Sequence, residues 1–581
     1  MSFTEHNQNQ DGESMEKTEF LRRNPYWLSK ERISRVEELF STMTVEEKLG
    51  QVFCSEIRAG DEKTLKEITE TYHMGAVMCL PAPAAELKKL SRELQNRSRI
   101  PVLVGGNLEE GADAARGATN IANNLQIAAT GNAYYAMRMG RVTAKEGTAA
   151  GFNWAFAPVI DIAMNWRNPV IATRAFGSDA GFVAEAGRNF VVGMQSGGMA
   201  AAIKHFPGDG VDERDQHFAP SVNSLSCEEW DRTFGNAYRE CIDAGALTVM
   251  VGHILQPAWS KRINPGLTDD KILPGSTSPE LLQGLLRGHL GFNGMISTDA
   301  TTMSGFDQLL PRSEAIPAAI SAGCDLLLFT KDTAEDHAYL KAGYEKGVVT
   351  GERLDDAVLH ILGVKAALGL LDKVPEDRAD TAEDPADMIG LPEYKALAKS
   401  CADNAVTLVK DIDGLLPVSP EKHRRVYLVT FAEARGAGNT PESMADMLKD
   451  KLEARGFEVT AACMQAEPDL RGSHEALRAK YDLVIYAANM HSVSNKAVTR
   501  IDWGNSMGKD APTFLQDIPT MLISFGNPYH LVDIPRVHTY INAYKFKDSV
   551  IDAVLDRITG LAGFAGRNPV DPFCGFWDTR L

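Results

Sequence analysis

GAVMCL (75–80) and PVLVGG (101–106) are two short, almost wholly apolar runs, and the stretch between them is long enough to carry a helix back to the start of the second. A strand that is apolar on both faces belongs inside a parallel sheet covered on both sides. Working outward, the pattern returns: a buried segment at 50–54, then NWAFAPV (153–159), MAAAIKHF (199–206), LTVMVGH (247–253), GMISTD (294–299) and CDLLLFT (324–330). That makes eight units, each with room for a crossover helix, which is the count of an α/β fold of the (β/α)8 TIM-barrel type. An open doubly wound sheet has the same periodicity and stays the alternative on pattern alone. Upstream, Ile33, Val36, Phe40 and Met43 fall at helical steps, and Thr44 with Glu47 three residues on reads as a capping box opening the next helix.

Residues 372–387, DKVPEDRADTAEDPAD, combine charge and proline with almost no large apolar side chains, as a solvated linker does. The barrel should therefore end near Leu371. Beyond it, a helical stretch around 394–409 leads to VYLVTF (426–431), FEVTAA (457–462), LVIYAA (483–488), TMLISF (520–525) and TYINAY (539–544), which read as an open αβα sandwich. The expected division is a polar N-terminal extension over 1–31, a catalytic barrel over 32–371, an acidic linker over 372–393 and a second domain over 394–581.

The chain has 581 residues, 44% hydrophobic and 24% charged, enough to bury two sizeable cores. Its 78 acidic and 60 basic side chains leave a formal charge of −18, which repels phosphate backbones and anionic membranes. Nucleic acid and membranes are thus unexpected partners. MSFTEHNQNQDGES lacks the basic start and apolar run of an export signal, and no apolar stretch approaches the ~20 residues that span a bilayer, so a cytoplasmic enzyme is expected. The eight cysteines lie far apart, without metal or redox spacing, and are expected to be free and mostly buried. Oligomeric state is not encoded in any visible motif.

In such a barrel the residues just after the strands form the mouth where chemistry occurs. There the sequence places Asn107 and Glu109 after the third run, Lys204 and His205 at the end of the fifth, His253 after the sixth and Asp299 after the seventh. Each alone can equally serve to satisfy backbone groups, Glu109 most readily; their concentration is what points to a site. KHFPGDGVDERDQH (204–217) is the densest stretch. A cation and an imidazole at a strand end can donate to the hydroxyls of a sugar ring. By accepting the proton of one imidazole nitrogen, Asp215 can fix the tautomer of His217 and leave the other nitrogen to exchange a proton with substrate. A charged surface loop is the plain alternative for that spacing. Met303 and Trp154 read as packing at the mouth, and His491 and Trp503 as surface cover on the second domain.

The 204–217 stretch resembles the KHFPGxG…DxH signature of glycoside hydrolase family 3, in its β-N-acetylhexosaminidase branch. ISTDATTM (296–303) is similar to that family's nucleophile segment, and MTVEEKLGQ (43–51), FAPVIDI (156–162) and RNPVIATRAFGSD (167–179) look like further family segments. LISFGNPY (522–529) and GRNPV (566–570) are similar to two-domain members. The resemblance implies a retaining, exo-acting glycosidase that needs no metal or organic cofactor and acts on a small carbohydrate, with β-linked N-acetylglucosamine the expected sugar. It implies Asp299 as nucleophile, His217 as acid/base, Asp215 as its partner, and Lys204, His205 and Arg174 as ligands of the non-reducing-end sugar. His253 is similar to another family position near the sugar, with a core histidine bonded to backbone the equal alternative.

The β-glucosidase branch draws its acid/base glutamate from elsewhere, so the Asp-x-His loop favours the N-acetylglucosaminidase branch; a β-glucosidase, a β-xylosidase and a glycosyl phosphorylase remain the other readings. Two departures stand out. GGNLEEG places Asn107 where relatives carry an acid, and Asp209 replaces a common histidine. Arg116 is the candidate for a basic residue that usually follows the acidic segment. Asp209, Asp212, Glu213 and Asp215 against Arg214 alone are expected to disfavour an entering phosphate, making hydrolysis the main outcome. Pro207, Gly208 and Gly210 are expected to let the loop hold His217 away from Asp299 in an empty site.

Overall fold

The structure is a computed structural model that describes residues 17–372, 385–432, 440–463, 473–495, 498–501, 503 and 511–581. Eight parallel strands close into a barrel: β1 (Phe53–Ile57), β2 (Ala76–Cys79), β3 (Leu103–Gly106), β4 (Trp154–Ala155), β5 (Ala200–Phe206), β6 (Thr248–Val251), β7 (Met295–Ala300) and β8 (Leu326–Leu328). They are hydrogen-bonded in the closed order β1-β8-β7-β6-β5-β4-β3-β2, which excludes the open sheet. All eight apolar runs supply a strand. Inside the barrel, Trp154 Nε1 donates to Thr248 Oγ1 at 2.9 Å, a bond from β4 to β6 that satisfies two buried polar atoms at once.

The helix Val45–Gln51 begins with the expected capping box, Thr44 accepting from Glu47 N–H and Glu47 reaching back. The stretch expected to be a polar extension differs. Residues 17–31 are packed: Leu21, Tyr26 and Leu28 are buried, and Asn293 Nδ2 donates to the carbonyls of Phe20 and Asn24. Their apolar side chains are few but spaced to fill one gap, which composition alone hides. Of the expected linker, 373–384 lies outside the described residues, while Pro385–Met388 and the start of Pro392–Ala405 are helical.

By its contacts the chain divides into two units. One takes the chain as far as Asn120, then Ala136–Ile162 and Ala180–Tyr394; the other takes Ile121–Tyr135, Ala163–Asp179 and Lys395–Leu581. Two insertions from between barrel strands thus belong to the second unit, an arrangement that contiguous boundaries do not anticipate.

The second unit holds a six-stranded sheet of β9 (Thr407–Asp411), β10 (Arg425–Ala432), β11 (Glu458–Cys463), β12 (Leu483–Asn489), β13 (Thr520–Ser524) and β14 (Thr539–Asn542), in the order β9-β14-β13-β12-β10-β11. Side chains alternate between two cores: Val426, Leu428, Leu483 and Ile485 enter one, and Tyr427, Val429, Val484 and Tyr486 the other. That is the period of a sheet buried on both faces. The helical stretch expected over 394–409 ends at Ala405; TLVKD then forms β9, the edge strand that pairs antiparallel with β14. Among the described residues no helix is long and apolar enough to cross a membrane. All eight cysteines are free, and six are buried.

Candidate active site

Asp299 stands at the C-terminal end of β7, where the register with β8 slips between Ser297 and Ala300. Its Oδ1 accepts from Ala300 N–H at 2.7 Å, and His205 Nε2 lies 3.9 Å from Oδ2. Burial pushes its pKa up, but His205, His253 and His217 together with that N–H outweigh burial and hold the carboxyl below its ordinary value. The Asp299 side chain is 13% exposed, so the carboxylate is largely but not wholly buried.

His205 is set by a residue the sequence reading did not single out. Asp161, wholly buried, accepts from His205 Nδ1 at 2.6 Å, from His205 N–H at 3.1 Å and from Asp209 N–H at 2.8 Å. One carboxylate therefore fixes the His205 ring, turning Nε2 toward Asp299, and pins the start of the loop. Beside it, Lys204 Nζ pairs with Glu109 Oε1 at 2.7 Å, with Lys204 only 3% exposed. Glu109, the least favoured of the strand-end residues, is thus the partner of a predicted sugar ligand. The signal for Asp161 was a lone acid in the apolar run FAPVIDI, and the signal for Glu109 was its place after β3.

The loop after β5 carries the expected pair. His217 Nδ1 and Asp215 Oδ1 are 2.6 Å apart, the same oxygen accepts from His217 N–H at 2.9 Å, and Asp215 is buried while the imidazole is partly exposed. With Nδ1 committed to the carboxylate, Nε2 is the atom left for substrate. The loop is held at several points. Trp230 Nε1 donates to Pro207 O, Asn223 Nδ2 to Gly208 O, and the buried Gln216 accepts from His253 N–H at 2.8 Å. Ser304 N–H, just past β7, donates to His217 O at 3.1 Å.

The loop acids are also less bare than their count implies. Arg214 pairs with Asp212 at 2.6 Å; burial pushes Asp212 up, but Arg214 and the N–H groups of Arg214 and Val222 hold it below its ordinary value. Asp209 is buried and accepts from Gly210 N–H and, at 3.4 Å, from Gln216 Nε2.

The remaining candidates divide. Asn107 is exposed directly after β3. His253 has the geometry of its alternative reading, a core histidine bonded to backbone. It is wholly buried, Nδ1 is 2.9 Å from Ser276 Oγ and Nε2 is 3.0 Å from Ala300 O, so neither nitrogen is left for a hydroxyl, and burial lowers its pKa. It braces the backbone that carries Asp299. Arg174 is half-buried on the 163–179 insertion of the second unit, where its carbonyl accepts from Asn124 Nδ2 at 2.7 Å. Arg116 is exposed and lines a recess of about 260 Å³ with Arg58, Pro81 and Glu86. Met303 and Trp154 are buried. Trp503 packs edge-on to Phe431 in the second sheet.

An eight-stranded barrel thus carries an aspartate at the end of β7 and an aspartate–histidine pair on the loop after β5. Residues 44–364 match the family model described as the glycosyl hydrolase family 3 N terminal domain, and the chain belongs to that family of glycoside hydrolases. It is 43% identical over 571 residues, covering 96% of this chain and 99% of the relative, to a "Beta-N-acetylglucosaminidase/beta-glucosidase" of Cellulomonas fimi. Among solved structures it is similar to a "Beta-glucoside phosphorylase BglX bound to 2FGlc", at 40% identity and a TM-score of 0.90, covering 96% of this chain and 99% of that one. It is also similar to a family 3 β-N-acetylglucosaminidase from Paenibacillus sp. str. FPU-7, at 26% identity and a TM-score of 0.76, covering 92% and 100%.

Proposed function

We propose that the chain is a retaining, exo-acting enzyme that removes a β-linked N-acetylglucosamine or glucose from the non-reducing end of small glycosides. The observation that carries this reading is the pairing of Asp299, held ionised, with a His217 whose Nδ1 is committed to Asp215. In the first step the Asp299 carboxylate attacks the anomeric carbon as its bond to the leaving oxygen breaks, and His217 Nε2–H protonates that oxygen. In the second, the now neutral imidazole takes a proton from an incoming water as its oxygen bonds to the anomeric carbon and the bond to Asp299 breaks, and the sugar leaves with retained configuration. Lys204 and His205, each tied behind to a carboxylate, present donors to sugar hydroxyls.

The Asp-x-His loop favours N-acetylglucosamine, and the names of the relatives add glucose. A panel of 4-nitrophenyl β-glycosides tests the choice: the N-acetylglucosaminide and glucoside should be turned over at least about tenfold faster than the galactosaminide and xyloside. Preference for the xyloside would overturn it.

A specific observation favours phosphate as a second acceptor. The charge count that argued for hydrolysis included Asp212, which is paired with Arg214, and Asp209, which is buried and bonded to N–H groups. A neutral imidazole adds no negative charge after the first step, so the barrier to an entering phosphate is lower than the sequence suggests. Product analysis in phosphate and in a non-phosphate buffer tests this, with sugar 1-phosphate the product expected when phosphate is present. Free sugar alone in millimolar phosphate would leave hydrolysis as the single activity.

A further inference from the structure

We propose that Phe218 is the platform for the leaving group, selecting aglycones that present a flat apolar face, either an aryl ring or the C–H face of a pyranose. The proposal deepens the reading above and rests on its placement of His217 as the acid/base.

Phe218 follows His217 directly and is 48% exposed, although a large aromatic side chain gains most by being covered. Its main chain is fixed on both sides: its N–H donates to Asp215 O at 3.0 Å, and its carbonyl accepts from Gln308 Nε2 at 2.5 Å. The segment after β7 is pressed against the same stretch. A Cβ on Gly305 would lie 2.3 Å from Gln216 O, so this close approach requires glycine. Leu309, next to Gln308, is 45% exposed. An aromatic ring and an aliphatic side chain are thus held out of the core by a clamp that joins the acid/base loop to the segment following the nucleophile.

The chemistry indicates what they are for. The leaving oxygen takes its proton from His217, so the aglycone emerges past that residue. The groups suited to sugar hydroxyls, Lys204 and His205, are tied instead to Glu109 and Asp161, away from Phe218 in the chain. The loop's outer positions are otherwise charged, with Glu213 and Arg214 exposed. An uncovered ring on a fixed main chain, among polar groups, is how binding sites supply apolar contact with little reorganisation.

The test compares kcat/KM for an aryl β-glycoside and for a β-linked disaccharide with kcat/KM for the β-fluoride of the same sugar, whose leaving group has no face to stack and no need of a proton donor. In Phe218→Ala the ratio of glycoside to fluoride should fall about tenfold to hundredfold, the worth of covering one phenyl ring, and Phe218→Tyr should restore it. A ratio within about twofold of the native one overturns the proposal. So does an equal fall on all three substrates, which would make the ring a support for His217 instead. Failure of the parent reading would show separately, as turnover of the fluoride by Asp299→Ala or as native glycoside-to-fluoride ratios in His217→Ala.

Discussion

Asp161 and Asp215 do the same job at two places: each holds an imidazole by Nδ1 at 2.6 Å, one beside Asp299 and one on the loop after β5. Substituting them should have different consequences. Asp215→Asn should lower kcat about 10²- to 10⁴-fold on substrates with poor leaving groups, because the amide cannot hold the donor tautomer, and much less on glycosyl fluorides. Asp161→Asn should act on both, since it loosens His205 beside Asp299 and the Asp209 end of the loop. Steady-state kinetics on the two substrate types separate these outcomes. As the proposed nucleophile, Asp299 also implies a pH profile. Its pKa is lowered, so on the fluoride the acid limb of kcat/KM should fall below the ordinary carboxylate value of about 4. At this scale the sequence revealed Asp299 and Lys204, which stand out at strand ends, and His217, which stands out by its Asp-x-His spacing on a loop. It did not reveal Asp161 or Glu109 as partners, because both pairings exist only once β3, β4 and β5 are adjacent in the closed barrel.

At the scale of elements, the loop after β5 tests whether anchoring matters. Gly208 has φ of +118° and a Cβ there would sit 2.2 Å from the Phe234 ring, so Gly208→Ala meets both backbone strain and a clash. It should lower Tm and activity together by displacing Asp215 and His217. The helix Gly351–Ala367 gives a second prediction. Lys365 is fully buried, its Nζ donates to Gln51 Oε1 at 2.6 Å, and burial pushes its pKa down to about 7. The charged form is the one the fold disfavours, so below pH 7 the full penalty acts. Between about 7 and about 10.4 the unfolded chain binds a proton that the fold does not, and stability contributed at this site rises with pH. The Tm of the native protein relative to Lys365→Met should therefore increase from pH 6.5 to 9.5; a flat difference would mean that Lys365 is charged in place. Sequence periodicity located every barrel strand but missed β9, since TLVKD is too short and follows a helix too closely for its alternation to stand out.

For the whole molecule, the eight repeated apolar runs encode a barrel and the later five encode a sheet, and both architectures were legible for that reason. What was not legible is the exchange of segments between units: residues 121–135 and 163–179 lie between barrel strands in sequence yet belong to the second unit, and Arg174 goes with them. Linear composition carries no mark of such a swap. Function at this scale comes down to whether one sugar is held covalently during turnover and by which residue. Incubation with an activated fluorosugar of the preferred glycone, followed by peptide mass mapping, answers that most directly. Time-dependent inactivation is expected, with one sugar mass added to the peptide that carries Asp299 and no labelling in Asp299→Ala; a label on any other carboxylate would overturn the assignment of Asp299.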